Sequence, residues 1–127
     1  MKLRNFVFAI VAAMVLAGAA LAAAPMKGGL YSGTLTGRGL TKKITMKVSA
    51  NGKTAKATLY CEGTLYAHLK SFPIKKGGKF DASKKTGSIV VFRLRGRFVS
   101  TKSAAVGLIP HAACDGLGGS FRLYLVQ

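Results

Sequence analysis

The 127-residue chain has only three acidic residues, two cysteines and three prolines, and no tryptophan at all. Each shortage excludes something. Three acids leave little material for carboxylate catalysis or an oxygen-ligand calcium cage. Two cysteines exclude a disulfide-dense miniprotein and a four-thiolate zinc site. Without tryptophan the best stacking surface for neutral sugars is missing, and Tyr31, Tyr60, Tyr66 and Tyr124 replace it only in part. What the chain does have is 20 Lys and Arg, a formal net charge of +17 and 50% apolar residues. That apolar content separates it from a disordered polycation and lets it build a core, and its length suits one domain.

The amino terminus reads as a targeting segment. Lys2 and Arg4 form a short positive start, Phe6 to Leu16 is almost wholly apolar, and the run then drifts into small residues. This order predicts a helical secretory signal peptide over residues 1–22, cut after Ala22; the alternative is an uncleaved anchor over 6–24. Residues 23–29 are expected to be a short linker and residues 30–127 a single β-domain with no further membrane span. Loss of residues 1–22 takes Lys2 and Arg4 away, leaving +15 over 105 residues. The expected location is therefore secreted, periplasmic or cell-surface. In an oxidising compartment Cys61 and Cys114 are expected to form one disulfide, worth about 4 kcal/mol in the chain-entropy model; two buried free thiols are the alternative.

The rest of the chain alternates with a period of two. Ile44, Met46 and Val48 share one strand face, with Lys and Thr on the other. Asn51-Gly52 follows as a hairpin signal, and the return strand Thr54 to Cys61 puts Ala55, Ala57 and Leu59 on one side. In 88–100, Val90, Phe92, Leu94, Gly96 and Phe98 face one way and Arg93, Arg95 and Arg97 the other. Further strands are predicted at 104–109 and 120–126, with shorter ones at 30–35 and 64–69. Nothing after residue 24 has a helical period. The expectation is an all-β fold, an antiparallel β-sandwich or small closed barrel of about 7–9 strands.

A weak internal echo suggests two related halves, about 28–63 and 77–116. Gly28-Gly29-Leu30-Tyr31 returns as Gly77-Gly78-Lys79-Phe80, and Cys61-Glu62-Gly63 as Cys114-Asp115-Gly116. The patterns G29-L-Y-S-G33, V48-S-A-N-G-K53, F72-P-I-K-K-G-G-K-F80, G96-R-F-V-S-T-K-S-A-A-V-G107 and C114-D-G116 together resemble a group of small secreted bacterial β-domain proteins without an assigned activity. That resemblance covers nearly all of the chain after its leader and implies an all-β fold. It supplies no catalytic residue. The group often closes on a tryptophan-containing strand, whereas this chain closes on F121-R-L-Y-L-V126.

Little enzyme chemistry survives inspection. Gly52-Lys53-Thr54 has Lys47 where a phosphate loop needs its first glycine, and it lies in a hairpin rather than before a helix. His68 and His111 have no matched serine and acid spacing. Two histidines and two cysteines make a nominal zinc set, but export commits the cysteines to each other. No cofactor or metal is expected. A Cys61–Cys114 bond would draw Glu62 and Asp115 together, with His111 nearby, as the only candidate for acid–base work on glycans. The charge is the stronger signal. Arg93, Arg95 and Arg97 recur every 6.6 to 7 Å or so, where neighbouring charges in water repel by only about 0.6 kcal/mol. Lys75, Lys76, Lys84 and Lys85 add basic loops. The expected partner is an anionic polymer or anionic membrane surface, bound with counterion release. Chromosomal nucleic acid is disfavoured by export. The alternatives are a glycan-acting enzyme and a protein-interaction or inhibitor module.

Overall fold

The computed structural model describes residues 23–37, 39–110 and 118–127. Eight strands follow one another: β1 (Leu30–Gly37), β2 (Leu40–Val48), β3 (Thr54–Cys61), β4 (Thr64–Pro73), β5 (Lys79–Thr86), β6 (Ile89–Phe98), β7 (Ser103–Pro110) and β8 (Gly119–Leu125). All pairings are antiparallel, in the order β4-β3-β2-β1-β8-β7-β6-β5. The sheet curls into a nearly closed barrel in which the first and last strands pair. Its two edges, β4 and β5, are consecutive in the chain and meet at a seam. The barrel option of the sequence reading is thereby reached with eight strands. The expected signal peptide, 1–22, lies outside the described residues.

Alternation dictates which way each side chain points. Ile44, Met46 and Val48 on β2, Ala55, Ala57 and Leu59 on β3, and Phe92, Leu94 and Phe98 on β6 are all buried. An eight-stranded barrel is just wide enough for its own side chains to fill it, and here they do. Tyr31, expected as a partial stacking surface, is 0% exposed. Its ring meets Phe98 edge-on at 5.0 Å, Phe98 meets Phe80 at 5.7 Å, and Phe80 meets Phe72 across the seam at 5.9 Å. The Tyr31 hydroxyl donates to the Thr101 carbonyl and accepts from the Met26 N–H. Tyrosine therefore enters the core with its polar end satisfied.

The hairpin expected at Asn51-Gly52 joins β2 to β3, but not through a two-residue turn. The connection runs over 49–53, where the Asn51 side chain accepts from the Ser49 hydroxyl and the Lys53 N–H. A tight primed turn occurs at Glu62-Gly63, with φ of 52° and 81°, between the paired Cys61 and Thr64. Residues 23–29 are tied to the barrel: Pro25 is buried, the Gly28 N–H donates to Ser49, and the Val48 N–H donates to Gly29. Gly96 marks a close approach of β6 to β7, since a Cβ there would lie 2.3 Å from the Ala105 carbonyl oxygen.

Both seam edges are protected against pairing with other chains. β4 carries two irregularities against β3, and β5 one against β6 beside Lys84 and Lys85. Bulges and charges on edge strands both discourage edge-to-edge association.

Candidate anion-binding face

The outward side of β5–β8 is built row by row from the strand register. One row runs Lys79, Arg97, Ala105, Arg122 across the four strands. The next runs Asp81, Arg95, Gly107, Ser120, and a third pairs Ser83, Arg93 and Ile109. Large cationic side chains on β6 and β8 flank a β7 whose outward residues here are Ala and Gly. The result is an open trough of about 1010 Å³, lined by Lys75, Lys79, Arg95, Arg97 and Arg122 as cations and Asp81 as the one acid.

The three arginines of β6 are not equivalent. Arg93 forks onto Asp81 through Nε at 2.9 Å and Nη2 at 2.6 Å, and Arg95 Nε stands 3.5 Å from the same carboxylate. The Arg93 fork holds the Asp81 carboxyl below its ordinary value. Slight burial opposes this, and the charges of Arg93, Arg95 and Lys75 reinforce it. The same contact pushes Arg93 further toward its protonated form. Arg97 is faced across the strand pair by Lys79, not by an acid. Among the described residues no acid pairs with Arg97 or Arg122.

The seven expected anion-binding residues do not form one site. Arg95, Arg97 and Lys75 line the trough, and Arg93 stands beside it, tied to Asp81. Lys76 lies with Lys75 in the β4–β5 connection but borders a smaller pocket beside Ala23 to Pro25. Lys84 and Lys85 sit at the far end of β5, next to its turn into β6. Arg122, Ser120, Ala105 and Gly107 complete the trough without having been singled out. The available signal was Arg122 on the polar face of an alternating strand, but only the sheet order leaves β7 alone between β8 and β6.

The expected acid–base cluster is described only at Glu62. Its carboxylate accepts the Thr41 N–H while its own N–H donates to the Thr41 carbonyl, fastening the β3–β4 turn to the start of β2. His111, Cys114 and Asp115 lie outside the described residues. Cys61 is not a free thiol. His68 is exposed, with Nδ1 3.1 Å from the Thr58 hydroxyl. Lys42 is the buried charged side chain inside the barrel, and among the described residues no buried side-chain polar atom lacks a partner. No group of three or more metal-ligating side chains occurs among the described residues.

No protein-family model matches this chain, no curated protein is detectably similar to it, and no solved structure matches it.

Proposed function

We propose that this chain is a secreted, non-catalytic β-domain whose basic outer face binds anionic polymers of the cell envelope or the extracellular space. The observation that carries the reading is the pair Arg97 and Arg122, cationic and without an acidic partner among the described residues, on one trough with Lys79 and Lys75. Solubility alone gives no reason for five cations to line one trough with a single acid among them. A Cys61–Cys114 bond belongs to the same reading, because export exposes both thiols to oxidation. The commitment of Glu62 to the Thr41 backbone supports a structural role for that acid.

Retention on a polyanionic matrix tests the proposal. The protein should elute at higher salt than an unrelated β-protein of matched charge. Replacing Arg93, Arg95 and Arg97 by Ala should lower that salt more than removing Lys27, Lys53 and Lys102. Equal elution of the two triple variants would contradict a focused binding face.

A further inference from the structure

We infer that the trough is a subsite for a tetrahedral oxyanion, a phosphate or sulfate ester group carried on the polymer, seated over Gly107 and Ala105 between the arginines of β6 and β8. This rests on the basic-face reading and adds a definite occupant to it.

Gly107 is the observation that points to a ligand. It lies in the middle of β7, where glycine weakens a strand for lack of a packing side chain. Neither of the usual structural reasons for glycine applies. Its φ is not among the positive values, and a Cβ built on it would meet nothing within 4 Å. Gly96 is different, since a neighbouring carbonyl forbids any side chain there. A strand glycine with open space above it fits a position kept clear for something approaching from outside.

The surroundings define the chemistry of that occupant. Gly107 is flanked by Arg95 and Ser120, and Ala105 by Arg97 and Arg122. The main chains of β6 and β8 are about 9.5 Å apart across β7, so guanidinium groups from both sides can converge above the small floor. A carboxylate offers two oxygens and one charge. A phosphate or sulfate group offers three or four oxygens, enough for forks from both walls and the Ser120 hydroxyl together. Where Lys79 stands beside Arg97, a doubly charged phosphate ester also balances more of the local charge.

The test uses Gly107→Thr and Ala105→Lys in protein expressed from the full-length sequence. Binding is measured to dextran phosphate, to dextran sulfate and to polyglutamate at fixed ionic strength. The wild type should favour dextran phosphate or dextran sulfate over polyglutamate of equal charge by about tenfold or more, the two arms separating phosphate from sulfate. Gly107→Thr should fold, because its Cβ is unobstructed, and should abolish that preference. Ala105→Lys adds a positive charge, so diffuse attraction predicts tighter binding to every polymer. Occupancy of the trough predicts weaker binding to the tetrahedral oxyanions alone. Should Gly107→Thr fail to fold, Ala105→Lys decides by itself. If both variants bind dextran phosphate and dextran sulfate within about twofold of wild type, or if Ala105→Lys binds them more tightly, the subsite is refuted while the basic face stands. If the wild type binds no polymer better than a charge-matched protein, both fall.

Discussion

The outer faces of β2–β4 and β6–β8 occupy corresponding places in two successive four-stranded meanders, yet they do different things with the same charge. The register fixes the correspondence. Lys47 pairs with Leu30 as Arg97 pairs with Lys79, and Lys47 faces Lys56 as Arg97 faces Ala105. Thr45 faces Thr58 as Arg95 faces Gly107. The Val48 N–H donates to the Gly29 carbonyl as the Phe98 N–H donates to Gly78. On the first face Lys47 donates to the Gly28 carbonyl at 2.7 Å, and Lys56 and Thr58 cover the middle strand. On the second, Arg97 has no such commitment among the described residues, and Ala105 and Gly107 leave the middle strand bare. Like charge on like strands becomes a candidate site only where the floor is cleared and the cations are left uncommitted.

The largest contrast between the halves should appear in the core. Phe98→Ala removes a fully buried ring that touches both Tyr31 and Phe80, and should lower stability by about 3–5 kcal/mol in chemical denaturation. Val48→Ala, at the corresponding position, should lower it by about 1–2 kcal/mol. Equal losses would mean that the aromatic cluster is not centred on the second half.

A reciprocal exchange on the middle strands comes next. Thr58→Gly should destabilise by about 1 kcal/mol, through glycine's poor strand propensity and loss of the hydroxyl beside His68. Gly107→Thr should be neutral or stabilising by thermal melting. If it destabilises instead, Gly107 also serves the fold, and the occupant is then tested by Ala105→Lys alone.

Tyr31→Phe should cost about 1 kcal/mol, because the Thr101 carbonyl and the Met26 N–H both lose their partner. The corresponding residue Phe80 already lacks a hydroxyl, so Phe80→Tyr should bring no compensating gain. The comparison of the two melting curves checks both.

Asp81→Asn should have the smallest effect, since water screens both side chains of the ion pair. The folded-state carboxyl lies below its unfolded value of 3.8, so its stabilisation is fully present above that value. It is lost as the pH falls through the lowered folded value. The melting temperatures of wild type and Asp81→Asn should differ slightly near neutrality and converge in strong acid; a gap that persists there would contradict the pairing.

Much of the fold was legible in the chain because burial on one face writes alternation into sequence. β3 was read to its ends, and β2, β6, β7 and β8 to within a few residues. β5 was not delimited. K79-F-D-A-S-K-K-T86 carries one large apolar residue and no β-branched residue before its last position, so seam-edge pairing and not propensity makes it a strand. β4 was read four residues short because its two irregularities break the period between Leu65 and Phe72. The arginine ladder was visible, but its division was not. Asp81 lies 12 positions before Arg93, and only the β5–β6 register sets the two diagonally across from each other, within reach of a fork. Arg122 was legible as outward, but its partnership with Arg97 depends on β8 lying two strands from β6, a matter of strand order.

The central claim is that the β6–β8 face is a site and the β2–β4 face is solvated charge. Two double variants of equal charge loss test it: Arg97→Ala with Arg122→Ala, and Lys47→Ala with Lys70→Ala. Affinity for dextran phosphate at fixed ionic strength should fall by about tenfold or more in the arginine pair, and by no more than about threefold in the lysine pair. Equal losses in the two would contradict the claim and return the charge to the surface as a whole.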